Sequence, residues 1–162
     1  MDSIRLPLSR GLYAVIDAAD FELVGQHKWC AIPSRATWYA WRGIRAKGPG
    51  RMVSLHQTIF PAPPGMKVDH IDGDGLNNRR ANLRHCTNQE NCRNQGLARN
   101  NRSGFKGVSW YPNSGKWVAT IWDGKRKVFL GYYADPVEAA RSYDATARAL
   151  FGTFARPNFP AE

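Results

Sequence analysis

The tightest constraint on this chain lies in residues 105–152, where three alternating runs, "FKGVSWY", "KWVATIW" and "KVFLGYY", precede one fully punctuated helix. β-branched and aromatic residues at period two are the pattern of short strands. The breaks between them, "PNSG" and "DGKR", carry turn residues, and Asp-Gly is a strong two-residue hairpin signal. The expectation is a three-stranded antiparallel sheet. In "DPVEAARSYDATARALFG", Asp135 caps, Pro136 takes the first helical position, Glu138 supports the cap and Gly152 ends the helix. Val137, Ala140, Tyr143, Ala147, Leu150 and Phe151 recur at three- and four-residue steps and form an apolar stripe. Small alanines on that stripe let the helix lie close to the sheet. Val108 and Trp117 are expected beneath it, and Trp122 is expected on the exposed face.

The rest of the chain divides by character. Over residues 1–60, "LYAVID", "KWCAI" and "TWYAWRGI" read as short strands, and "KGPGR" (Lys47–Arg51) reads as a turn. "MVSLHQTIF" fits strand and helix spacings equally, and "PAPPG" stops any helix behind it. In "TNQEN", Thr87 and Glu90 form a capping box that starts a helix at Thr87 and sets Asn91 just past its first turn. "GLARNNRSG" (Gly96–Gly104) reads as a linker. The fold class is α+β: a module over 1–95 with a β-rich part at 1–60 and a core at 61–95, a linker at 96–104, and a sheet packed on one helix over 105–162.

With 162 residues and 43% hydrophobic content, the chain has material for a folded core. Net charge is +10 and the excess is spread along the chain, which points to a polyanionic partner. No amphipathic basic helix or lipidation motif favours a membrane surface, so nucleic acid is the stronger partner class. No apolar run approaches the ~18–20 residues needed to cross a bilayer. "MDSIRLPLSRG" lacks the apolar centre of a secretion signal, so an intracellular location is expected. Three cysteines, Cys30, Cys86 and Cys92, contain no C-x-x-C pair, so neither a disulfide framework nor a structural zinc site is expected.

Against that basic background, "VDHIDGDGLNNRRANL" (Val68–Leu83) gathers acids, amides and a histidine. Phosphodiester hydrolysis needs a cation to neutralise developing charge, a base to activate water and groups that hold the phosphate. Asp69 is a hard oxygen ligand of the kind magnesium prefers. His70 can accept a proton at neutral pH. At a strand end these neighbours face opposite sides, so a bent backbone or two directions of approach is needed. Asp72, Gly73, Asp74 and Gly75 suit a turn, and Asn77 and Asn78 suit loop bracing. His56 reads as a packed or backbone-bonded histidine, and His85 matches no role. Arg79, Arg80 and Arg84 either contact phosphate or are ordinary solvated arginines.

"DHIDGDGLNNRRANLR…TNQEN" resembles the HNH endonuclease motif in its asparagine-ended form, found in phage and intron homing endonucleases, over roughly residues 53–94. The N-terminal "RLPLSRGLYAVIDAADFELVGQHKW" also resembles such phage enzymes. The resemblance implies a ββα-metal fold holding one divalent cation, magnesium or alternatively manganese. It implies Asp69 and Asn91 as metal ligands, His70 as general base and Asn82 as the amide that orients the histidine.

"SGFKGVSWYPNSGKWVATIWDGKRKVFLGYYADPVEAARSYDATARALFG…NFP" resembles the apetala/ethylene-response-factor DNA-binding domain. That implies a sheet docked in the major groove of double-stranded DNA, with Lys106, Ser109, Tyr111, Thr120, Trp122, Lys127 and Phe129 at the contacting positions. The plant factors carry mostly arginines there, so the plant target does not carry over. Together these features imply a metal-dependent DNA endonuclease of homing or nicking type, with a monomer as default. The alternative is a DNA-binding repressor on an inactive nuclease fold.

Overall fold

The computed structural model describes residues 2–34, 37–44, 50–98 and 100–159. The chain combines α and β structure in several small antiparallel sheets with few helices, and its contacts separate two compact units, Met1–Asn88 and Gln89–Glu162. No helix among the described residues is long and apolar enough to cross a membrane.

In the first unit, β1 (Ser3–Pro7) and β2 (Tyr13–Asp17) form a hairpin, and α1 (Phe21–Val24) follows. β3 (Cys30–Ser34), β4 (Thr37–Ile44) and β5 (Arg51–Ser54) form a sheet in chain order. Lys47, Gly48 and Pro49 of the expected turn lie outside the described residues. The ambiguous run at 52–60 is both things in succession, the end of β5 and then α2 (Leu55–Ile59). β6 (Lys67–His70) pairs with β7 (Leu83–Cys86), setting Asp69 opposite Arg84 and His70 opposite Leu83. One core of Leu6, Ile16, Trp29, Leu55, Val68 and Leu83 ties these pieces together, with the Trp29 indole N–H donating to the Val24 carbonyl at 3.0 Å. Because β6 and β7 both contribute to that core, the loop between them starts and ends on fixed ground.

The second unit takes most of α3 (Asn88–Arg93), which begins one residue after the expected cap Thr87. β8 (Val108–Tyr111), β9 (Lys116–Trp122) and β10 (Lys127–Tyr133) form the expected antiparallel sheet with β9 central. α4 (Pro136–Phe151) is capped by Asp135, whose carboxylate accepts from the Val137 N–H at 2.9 Å, and Gly152 ends it at φ 52°. Ala139, Ala140, Tyr143 and Ala147 are buried, as are Val108, Ala119 and Ile121. Leu150 departs from the expected stripe and is half exposed, because Phe151 fills the core position at that turn. Gly107 sits at φ +78°, where a Cβ would collide with the Tyr143 ring. The Ser103 hydroxyl lies within hydrogen-bonding distance of the Phe105 and Val108 carbonyls, its one hydrogen serving either, and Asn101 donates to the Phe105 carbonyl, so residues 101–103 are braced against the start of the sheet.

Candidate active site

The loop between β6 and β7 is built by its own acids and amides. Asp72 Oδ1 accepts from the Asp74 N–H at 2.8 Å and from Asn82 Nδ2 at 2.9 Å, while its Oδ2 accepts from Asn77 Nδ2 at 2.7 Å. Burial pushes the Asp72 carboxyl upward, but these donors outweigh it and hold it below the usual carboxylate range. Asp74 accepts from the Leu76 N–H at 2.9 Å. Both aspartates therefore do the turn work their Asp-Gly settings suggested. The loop is pinned to β2 by Val15, whose N–H donates to the Leu76 carbonyl and whose carbonyl accepts from the Asn78 N–H. Gly75 must be glycine, since a Cβ there would strike the Trp38 carbonyl oxygen and the Tyr39 ring.

This folding-back brings Asn78, fully buried, to the catalytic histidine candidate: His70 Nε2 lies 3.3 Å from Asn78 Oδ1. Asn78 Nδ2 donates to the Gly75 carbonyl, which fixes the amide with its oxygen toward the ring. An oxygen can only accept, so His70 Nε2 carries the hydrogen and the neutral ring keeps its lone pair on Nδ1. The expected orienting amide was Asn82. Here Asn82 instead ties the loop, its Oδ1 accepting from the Asp72 N–H and its Nδ2 donating to the Asn77 carbonyl and Asp72. Asn82 thus braces the loop that carries Asn78. Burial lowers the His70 pKa, and the Asn78 bond with Asp72, Asp69 and Asp74 offsets only part of that, so the ring is neutral at neutral pH.

Asp69 is buried at the adjacent position, and Arg84 donates to its Oδ2 from Nη2 at 2.7 Å and from Nε at 2.9 Å. Arg84, expected on phosphate, therefore faces the metal-ligand candidate across the β6–β7 ladder. The other two expected phosphate contacts are also engaged within the chain. Arg80 chelates the Asp20 carboxylate at 2.7–3.1 Å, and Arg79 Nε donates to Asn77 Oδ1 at 3.0 Å. Asp69 offers hard carboxylate oxygens, whereas Asn91 stands on α3 within the second unit. Among the described residues no three His, Cys, Asp or Glu side chains converge.

One neighbour has no sequence signal at all. The His56 ring lies 5.1 Å from the His70 ring, edge on, and 5.7 Å from Tyr39. Ser54 donates its only hydroxyl hydrogen to Gln57 Oε1, so the contact of 3.1 Å between Ser54 Oγ and His56 Nε2 needs the hydrogen on the histidine. Burial, then the nearby His70, pushes the His56 pKa down to about 3. A folded value below the ordinary ~6.5 contributes stability that is full above pH ~6.5 and is lost as pH falls toward the folded value. From this site the first unit is expected to lose about 2 kcal/mol between pH 6.5 and pH 5. In thermal melts His56→Gln should flatten that slope, and an unchanged slope would contradict the assignment. His85 is structural, stacked on Phe60 and donating to the Pro61 carbonyl.

The C-terminal sheet turns one face to α4 and the other outward. Ser109, Tyr111, Thr120, Trp122, Lys127 and Phe129 all fall on the outward positions of the register. Trp122 and Phe129 are 60% and 54% exposed, whereas Trp117 and Val108 turn to the core. Lys106 does not join them. Its Nζ donates to the Arg93 carbonyl at 2.5 Å and the Gln95 carbonyl at 2.8 Å, closing the end of α3 rather than reaching outward. Burial, with Arg156 nearby, lowers its ammonium to about 8.

Comparison with known proteins fits both halves. The HNH endonuclease family model matches residues 61–93, which contain the whole β6–β7 loop. Protein 3.8 of Escherichia phage T7 is 36% identical over 112 residues, covering 68% of this chain and 91% of that protein. An uncharacterized HNH endonuclease, L560, of Acanthamoeba polyphaga mimivirus is 30% identical over 145 residues, covering 85% of this chain and 74% of that one. The chain belongs to the HNH endonuclease family. The second unit carries an AP2 domain, matched at residues 103–153. The dehydration-responsive element-binding protein 2A of Arabidopsis thaliana is 41% identical over 71 residues, which is 41% of this chain but 20% of the plant protein. Nuclease and AP2 domains in one chain make it a DNA-binding nuclease by family.

Proposed function

We propose that the protein is a metal-dependent endonuclease that hydrolyses phosphodiester bonds in double-stranded DNA, with residues 1–95 cutting and residues 105–162, joined through 96–104, choosing and holding the site. What carries the reading is the buried His70 with Nε2 on Asn78, beside the buried Asp69 at the end of one strand. A neutral imidazole so held takes a proton from water through Nδ1, and the water attacks phosphorus in line with the departing 3′ oxygen. Asp69 and Asn91 would hold the cation, the two ligands that the ββα-metal resemblance implies. Magnesium fits best and manganese is the alternative. When bound, the cation supplies the positive charge that the transition state and leaving oxygen need. Asn78 keeps the histidine tautomer, and Asn82 keeps the loop that presents Asn78.

In this reading Arg84 compensates the Asp69 charge and holds that carboxylate in place for the ion. The outward face of β8–β10 enters the major groove, which is wide enough for strands. One active site per chain makes nicking by a monomer the default, with a homing function open to the same machinery. The test is chelation: excess EDTA is expected to stop cleavage of plasmid DNA and added magnesium to restore it. Undiminished cleavage in the chelator would overturn the metal assignment.

A further inference from the structure

The outward face of the C-terminal sheet has a chemistry that no AP2 or HNH assignment accounts for. Its central positions are Val118, Thr120 and Trp122 on β9, Phe129 and Tyr132 on β10, and Tyr111 on β8. The Tyr111, Tyr132 and Phe129 rings form a strip, with Tyr132 centred 5.7 Å from Tyr111 and 5.0 Å from Phe129. The three strands, "VSWY", "KWVATIW" and "KVFLGYY", contain no arginine, asparagine or glutamine and no acid. They therefore lack the guanidinium fork that grips guanine and the amide that grips adenine in the major groove.

Positive charge is confined to the rim. Lys116 and Lys127 stand at strand starts, and Lys125 and Arg126 stand in the turn between β9 and β10. The one acid of that turn, Asp123, has its Oδ1 taken up by the Lys125 and Arg126 N–H groups. A cationic rim around an apolar centre complements a duplex that presents phosphates on both sides of a groove floor. On that floor the only apolar feature is the C5-methyl group of thymine.

We propose that this face selects DNA by burying thymine methyl groups against Val118, the Thr120 methyl and the exposed Trp122 and Phe129 rings, while the rim lysines hold phosphates. The inference rests on the reading that the sheet docks in the duplex major groove. Selectivity then comes from desolvating methyls, not from bidentate hydrogen bonds, and the target is rich in thymine.

Uracil has the same hydrogen-bonding edge as thymine and lacks only the methyl, so it isolates the effect. The 162-residue chain is titrated, at one salt concentration, against two randomised duplex pools made with deoxythymidine or with deoxyuridine, and against the single strands. The uracil pool is expected to bind roughly 4-fold more weakly for each methyl buried, or roughly 15-fold for two. Trp122→Ala, a truncation at a surface ring, should bring the two pools together. Equal binding of both pools by the unaltered chain overturns the methyl reading and leaves duplex docking standing. Stronger binding of the single strands, or no binding of either duplex, overturns the docking reading itself.

Discussion

His70→Ala is expected to slow DNA cleavage by about 10²–10⁴ while leaving DNA affinity in place. The size follows from what the ring alone supplies. It stands at the end of β6, buried to 3% exposure and held in one tautomer by Asn78, so its loss removes the base and the built orientation together. Binding survives because the proposed DNA contacts lie on the sheet of the second unit. Asn78→Ala removes only the orientation, so its rate should fall less than that of His70→Ala. Single-turnover cleavage beside equilibrium binding separates the two quantities. A His70→Ala protein that cuts at the original rate would remove the histidine from the mechanism.

Asp144→Ala should be the most damaging single substitution in the second unit, at about 3 kcal/mol or more. The Asp144 carboxylate is 1% exposed in the middle of α4. Its Oδ1 accepts from the Asn158 backbone N–H at 2.7 Å and from Asn158 Nδ2 at 2.9 Å, and its Oδ2 accepts from the Phe159 N–H at 2.8 Å. Asn158 in turn accepts from the Lys106 N–H at 2.6 Å and donates to the Lys106 carbonyl at 3.1 Å. One carboxylate thereby fastens the C-terminal segment to the helix and to the start of the sheet. Removing it leaves three part-buried donors without their acceptor. A urea midpoint equal to that of the unaltered protein would show that the network contributes nothing.

Local chemistry was legible in the sequence where it is set by neighbours a few residues apart. Asp135 and Gly152 delimit α4 as expected, Asp-Gly marks the β9–β10 turn, and Thr87 precedes α3. Asp72 and Asp74 read as turn residues for the same reason. What stayed hidden depends on tertiary pairing. Asn78 and Asn82 are amides in one loop, and only the pinning of that loop to β2 turns Asn78 onto the histidine. Nothing local shows that the β6–β7 register sets Arg84 against Asp69. His56 reaches His70 from another element altogether, and Lys106 is drawn inward by carbonyls of α3. The run at 52–60 satisfied both periodicities because it is strand and helix in succession.

The central claim is that the histidine in the β6–β7 site performs phosphodiester hydrolysis, and supercoiled plasmid tests it most directly. Incubated with magnesium, the unaltered protein should convert supercoiled DNA to nicked or linear product, while His70→Ala leaves it supercoiled over the same interval. Persistent supercoil with the unaltered protein, under conditions where it binds the plasmid, would contradict the account and assign the chain to DNA binding without cleavage.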